Sequence, residues 1–419
     1  MSSKDITLKK QLQISLPMGF EQLVNVLMTV IDTFVVGILG ATAIAEVGAM
    51  GTILNILFIL PNTIFISNNV MIANYIGSKN RSAIKITLGN SIVLGLFSSI
   101  LLGIITFFIS PVLPGLFNVP KEALVYLFIR LLGFSFLTVS TILSGYERTK
   151  GNAKFILYIK IVSLFINFIL DVIVIKMGYG INGVALITVL IDLIVMIFLI
   201  LKNMKDITLK IKYKVIKKIF YYIKWNTFER LITKVDFLIM NLIVANIGTL
   251  EYSVHVLLSQ MVDIYRDFIS GIQNGITINV GKIQGSRKYE LYKQLKKVSY
   301  QIQKFFFVFA PLLIMIIAFI ISKLYFKDSI QINIFYEIMP IIIINVILNI
   351  ISIYYYAYLR GVKDFKFLAN RNLISSILKI VVAFVFSYYF GVIGVWLSYF
   401  IYSFSQYYMS KKRYNRIRL

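Results

Sequence analysis

Residues 12–39 read LQISLPMGFEQLVNVLMTVIDTFVVGIL. This is an apolar run of membrane length, since about 20 helical residues cross a hydrocarbon core of roughly 30 Å. The basic stretch from Met1 to Lys10 precedes it, but the run is too long for the core of a signal peptide. No small-residue cleavage site follows, so the run is expected to stay as a first membrane span. Two acids interrupt it, Glu21 near its start and Asp32 near its end.

The first of these acids belongs to a repeat. Phe20-Glu21-Gln22-Leu23 returns as Phe228-Glu229-Arg230-Leu231, and Gly40 returns as Gly248 at the same offset. Gly77-Ser78 returns as Gly285-Ser286, and Arg148…Lys154 as Arg360…Lys366. Tyr179-Gly180-Ile181-Asn182-Gly183-Val184 matches Phe390-Gly391-Val392-Ile393-Gly394-Val395. Each match is weak alone, but together they keep one order and nearly one offset. They imply two homologous halves, residues 1–201 and 219–419, joined by a Lys-rich linker at 202–218.

Composition agrees with a chain that lives in lipid. Of 419 residues, 58% are hydrophobic and 15% charged, with mean hydropathy +0.83. A soluble domain carries about 25% charged and 45–50% apolar residues. Twelve apolar segments can be drawn, at 12–39, 46–75, 87–110, 123–145, 154–176, 181–201, 219–246, 251–280, 299–322, 330–359, 368–390 and 393–410. The fold class expected is therefore an all-α integral membrane protein with twelve transmembrane helices in two six-helix bundles. Six spans per half is an even number, so the halves share one orientation, about a pseudo-two-fold axis along the membrane normal. Secondary transporters that bind substrate between repeats are built this way.

The net charge of +25 suggests a nucleic-acid partner until the cations are located. They sit in short blocks between apolar runs, without the interleaved aromatics of a strand-binding groove. One set of loops holds clusters such as Lys4, Lys9 and Lys10, the linker lysines from Lys202 to Lys218, and Lys411 to Arg418. The alternate set holds only Lys121, Lys176, Lys323 and Lys327. The positive-inside rule then places both termini in the cytoplasm of a cell-membrane protein. Cysteine is absent, which excludes disulfides and thiolate metal sites. The one histidine, His255, gives little basis for catalysis and is read as a surface or packing residue near the outer end of span 8. No enzyme activity and no cofactor are expected.

Ionisable groups inside spans are costly and mark function by default. Asp32 lies about eight residues from Gly40, hence roughly 12 Å below the outer surface at 1.5 Å per residue. Asp171 lies about 8 Å deep in span 5, with Asn167 one turn further in on the same helix face. Thr188 in span 6 is again about 12 Å deep. Two carboxylates, an amide and a hydroxyl at similar depth can coordinate Na⁺ or share a proton. No membrane cation is expected beside these acids. In the second half Asp32 has Met240 as its counterpart, so the site is not duplicated. There Glu229, Lys234, Asp236, Asp263, Arg266 and Asp267 form either a self-neutralised network or a charged cavity wall. Asp263 and Arg266 are spaced to pair within one helix, and Lys234 is expected to reach an acid of span 8. Asn68, Asn69 and Asn74, with Asn345 and Asn349, either line the cavity or hold helices together. Pro17, Pro61, Pro311 and Pro340 should kink their spans or loosen a turn. Tyr354, Tyr355, Tyr356 and Tyr358 are read as an interfacial aromatic belt.

Several of these stretches resemble one transporter family, multidrug and toxic compound extrusion (MATE), over nearly the whole chain. They are Leu16-Pro17…Phe20-Glu21…Ile31-Asp32-Thr33…Gly37…Gly40, Tyr75-Ile76-Gly77-Ser78-Lys79-Asn80, Asn167-Phe168-Ile169-Leu170-Asp171 with Gly180…Thr188, and Leu359-Arg360-Gly361-Val362-Lys363-Asp364. The resemblance implies a V-shaped pair of lobes, with Asp32, Asn167, Asp171 and Thr188 at positions implicated in cation coupling. Some members also carry a coupling acid in span 10, where this chain has Asn345 and Asn349. The function expected is Na⁺- or H⁺-coupled export of amphipathic, cationic organic compounds by a monomer in the lipid bilayer. Lipid-linked oligosaccharide flipping is the alternative within the same superfamily. It would call for a cationic cavity, whereas the first lobe is read as acidic. A polytopic transferase is the alternative from another class, and no catalytic constellation supports it.

Overall fold

The computed structural model describes residues 6–325 and 329–417. Lys4, Lys327 and Arg418, counted above among the loop cations, lie outside the described residues. Among the described residues there are helices and no strands.

The first span is α1 (Leu8–Gly37), with Pro17 inside it. The second is broken into α2 (Ala41–Leu57) and α3 (Ile59–Gly77) at Phe58. Pro61 falls in the first turn of α3, one turn after the break, where its missing N–H leaves the Leu57 carbonyl without its i→i−4 bond. Next come α4 (Arg81–Ile109), the short α5 (Leu113–Phe117), α6 (Ala123–Lys150), α7 (Ala153–Lys176) and α8 (Gly180–Asn203). Asn80 caps α4 by accepting a hydrogen bond from the Ala83 backbone N–H at 3.0 Å. The second half holds α9 (Tyr213–Ala245), α10 (Thr249–Ser286), α11 (Leu291–Tyr325), α12 (Ser329–Gly361) and α13 (Phe365–Ile417). Pro311 and Pro340 lie inside α11 and α12.

Nine segments among the described residues are long and apolar enough to cross a membrane. One of them, α13, comprises two helices that meet at Gly391, whose φ of 56° and ψ of −139° are not helical. A side chain there would be strained, so glycine is what lets spans 11 and 12 part. Helices α9 and α10, of 33 and 38 residues, fall outside the nine because of the charged and polar side chains they carry. With these included, the order matches the twelve expected spans.

The chain divides into two compact units, Phe20–Thr227 and Met1–Gly19 with Phe228–Leu419. The ends of these units differ from the sequence halves 1–201 and 219–419. The reason lies in the start of α1. The Ser15 hydroxyl donates to the Ile272 carbonyl at 3.2 Å, and Gln11 accepts from Asn279 Nδ2 at 2.7 Å. In the first unit α6 packs against α3, α4 and α8 around Ile64, Met71, Ile72, Leu88, Ile142 and Leu143. Polar glue joins these helices as well. Ser91 Oγ donates to Asn68 Oδ1 at 2.9 Å, and Ser99 and Thr138 share a hydrogen bond of 2.8 Å. In the second unit α12 packs against α10, α11 and α13 around Phe335, Ile342, Ile350 and Tyr358.

The repeat survives at the level of single hydrogen bonds. Helix α6 ends at Gly151, φ 111°, with Asn152 N–H donating to the Glu147 carbonyl at 2.9 Å. Helix α12 ends in the same way, with Lys363 at φ 70° and Asp364 N–H donating to the Leu359 carbonyl at 3.0 Å.

The tyrosines of α12 are not a lipid-facing belt. Tyr354 and Tyr358 are buried, and Tyr358 meets Tyr414 edge to face at 4.8 Å. Tyr356 donates from its hydroxyl to Glu229 Oε1 at 2.9 Å. Aromatic edges satisfy one another in the core here, which a belt at the headgroup level does not require.

Candidate cation site

Three helices of the first unit converge where the intramembrane acids lie. Val35 and Val36 of α1 pack against Ile175 of α7 and Val184 of α8, with Ile31, Val172 and Ile181 around them. These neighbours flank Asp32, Asp171 and Thr188 in sequence. Asp171, Asn167 and Thr188 are buried, and Asp32 is half-buried. Asp32 and Asp171 act on each other electrostatically.

The polar atoms of this cluster have few partners. Both Asp171 carboxylate oxygens, both side-chain polar atoms of Asn167, and Asp32 Oδ1 are buried without a hydrogen bond. Buried polar groups are normally paired, at a cost of roughly 1–3 kcal/mol each when they are not. The Thr188 hydroxyl donates to the Val184 carbonyl at 3.0 Å, which leaves its oxygen free to accept or coordinate. Oxygen donors held without partners suit a hard monovalent cation or a proton. Among the described residues no group of three or more His, Cys, Asp or Glu gathers for a transition metal.

One expectation is corrected. Arg130 of α6 acts electrostatically on Asp32, Asp171 and Asp192, so the acids do have a membrane cation nearby. Seven residues into α6, it lies about 10 Å deep at 1.5 Å per residue, level with the acids. Among the described residues neither Asp32 nor Asp171 forms an ion pair with it within 4.0 Å. Asp192, one turn beyond Thr188 on α8, is a further acid that the sequence reading passed over. The same rule that singled out Asp32 would have found Arg130 and Asp192.

Of the charged residues singled out in the second unit, Glu229, Asp236, Asp263 and Arg266 are paired. Asp263 and Arg266 pair at 2.6 Å as their spacing implies. Asp236 is buried and accepts from Lys379 Nζ of α13 at 2.6 Å, while Lys234 makes no ion pair among the described residues. Lys379 wins because its ammonium is also cradled by the rings of Tyr399 and Tyr402, at 4.2 and 4.9 Å. Asp267 is exposed on α10 beside Arg266. Asn69 is buried with Oδ1 unpartnered, and Asn345 has neither side-chain atom paired. His255 is fully buried against Trp396, ring centroids 5.5 Å apart.

The MatE family profile matches residues 17–173 and 227–385. A search of curated protein sequences finds no match. Solved structures are similar over nearly the full length. A MATE protein in the straight conformation superposes with a TM-score of 0.83 at 18% identity, covering 98% of this chain and 96% of that one. A MOP-superfamily transporter from Pyrococcus furiosus, described as having a binding pocket of reverse polarity, gives 0.83 at 18% identity, with 98% and 97% coverage. A mutant of the Vibrio cholerae MATE transporter VcmN gives 0.85 at 16%, with 98% and 97% coverage. With both halves matched by one profile and the helix order reproduced, the chain belongs to the MatE family of multi-pass membrane transporters.

Proposed function

We propose that this transporter is a cation-coupled antiporter that exports amphipathic, cationic organic compounds by alternating access. The observation that carries the reading is the set of unpartnered oxygens in the first unit, both of Asp171, that of Asn167 and Oδ1 of Asp32, each buried at the atom. Asp32, Asn167, Asp171 and Thr188 would hold the ion, which supplies positive charge in place of missing hydrogen bonds. A cation bound there neutralises acids that otherwise attract a cationic substrate, so ion and substrate favour opposite states. The cytoplasmic placement of both termini follows from the distribution of Lys and Arg. Efflux of a fluorescent lipophilic cation from proteoliposomes tests this, with a Na⁺ gradient, a pH gradient, or neither. Acceleration by one gradient is the expected result; equal rates in all three conditions would remove coupling.

Arg130 favours one second reading. A guanidinium among the acids lowers the appeal of the site to a cationic substrate and raises it for an anionic one. Transport of a lipid-linked phosphate would then be stimulated, and efflux of the lipophilic cation would be absent.

A further inference from the structure

A cleft of about 530 Å³ opens at one end of the second unit, between α11, α12 and α13. Its wall on α11 carries Lys293, Lys296, Lys297 and Tyr300, and its far side Tyr355 and Tyr407. The three lysines recur at three- and four-residue spacing, so they share one helix face. All three are exposed, and among the described residues none forms an ion pair. Lys411 adds a further ammonium at the rim, donating to Tyr407 Oη at 3.0 Å. Gln303 at the base donates through Nε2 to the Ile351 carbonyl at 3.2 Å, leaving its side-chain oxygen to accept. Lys296 lies over the Tyr414 ring at 5.1 Å, but among the described residues no carboxylate pairs with the three lysines, and a cationic cleft lined by hydroxyls suits a phosphate-bearing anion.

The same face of α11 decides where that anion comes from. Below Tyr300 it continues through Lys304, whose ammonium lies 5.2 Å from the Tyr300 ring, to Phe307 and Val308. Phe307 and Val308 are 46% and 63% exposed, in a segment apolar enough to cross the membrane. A ligand seated on the lysines therefore has an apolar strip beneath it, as a phospholipid requires and a soluble phosphate does not. We propose that this cleft binds the headgroup of an anionic phospholipid, with an acyl chain along Phe307 and Val308. The proposal rests on the cytoplasmic orientation given above, and so on the inner leaflet as the source of the lipid. It does not depend on the cation site.

The test uses the full-length protein purified in detergent, with phosphatidylglycerol as probe and native mass spectrometry as readout. At roughly 1 kcal/mol per lysine, Lys293→Gln, Lys296→Gln and Lys297→Gln together should weaken the bound lipid about a hundredfold. The matching Lys→Arg triple should retain it, and unchanged melting of both triples reports intact folding. Lys210→Gln, Lys212→Gln and Lys214→Gln in the linker remove the same charge elsewhere and should leave binding unaltered. Wild-type affinity in the cleft triple would overturn the proposal, as would equal loss in the linker triple. Displacement of the lipid by millimolar inorganic phosphate would assign the cleft to a soluble anion instead. Because binding is read without transport, failure of coupling and failure of this site are separable.

Discussion

Arg148 donates from Nη2 to Glu21 Oε1 at 2.5 Å, both side chains buried, and joins the end of α6 to the first helix of its unit. The second half repeats the arrangement, with Arg360 of α12 paired to Glu229 of α9 at 3.3 Å. These are the residues whose sequence matches defined the repeat, so the duplication preserved an interaction as well as a pattern. Removing one partner of a buried pair strands a charge, at a cost of about 3–5 kcal/mol. Glu21→Gln should therefore lower stability by about 3 kcal/mol. Glu229→Gln should cost less, because Tyr356 remains beside the Arg360 guanidinium. Thermal melting in detergent measures both, and equal melting of Glu21→Gln and wild type would contradict the pairing.

The pair between Asp236 and Lys379 invites a double-mutant cycle. Lys379→Met leaves the buried Asp236 carboxylate uncompensated and should be strongly destabilising, by about 3 kcal/mol or more. Adding Asp236→Asn should recover most of that loss. Additive effects of the two substitutions would mean that the residues are not coupled.

Topology can be mapped with single cysteines, since the chain has none. Cysteines at Lys210 and Lys288 should react with an impermeant maleimide only from the cytoplasmic side, and one at Lys121 only from outside. Labelling at Lys210 from outside would reverse the orientation and with it the leaflet of the proposed lipid.

Na⁺ and H⁺ differ in the ligands they need. Na⁺ takes about five or six oxygens, in the manner of other hard cations, so Asn167 and Thr188 are required alongside the acids. A shared proton needs only the two carboxylates. Asn167→Ala and Thr188→Val should abolish Na⁺-stimulated efflux under Na⁺ coupling. Near-normal efflux driven by a pH gradient in both variants would leave proton exchange at Asp32 and Asp171.

Much of this was legible in the chain because the relevant signals are local. Span lengths, the repeat and the acids inside apolar runs are each contained within a few dozen residues. Arg130 is equally legible, being a cation inside the apolar run of α6. Lys379 was not legible in this way, because its partner Asp236 is 143 residues distant and no local pattern links them. The buried tyrosines of α12 show the same limit. An aromatic cluster near a helix end reads as an interface until Tyr292 and Tyr414, from distant segments, are found packed against it.

The claim at the centre is that Asp32 and Asp171 together form the coupling site, and their conservative amides test it most directly. Asp32→Asn and Asp171→Asn keep side-chain shape and hydrogen-bonding capacity while removing the charge. In proteoliposomes under the gradient that drives the wild type, each variant should melt like the wild type and lose coupled efflux by about a hundredfold or more, the equivalent of roughly 2.7 kcal/mol. Full efflux by both variants, with the ion dependence of the wild type, would contradict the account.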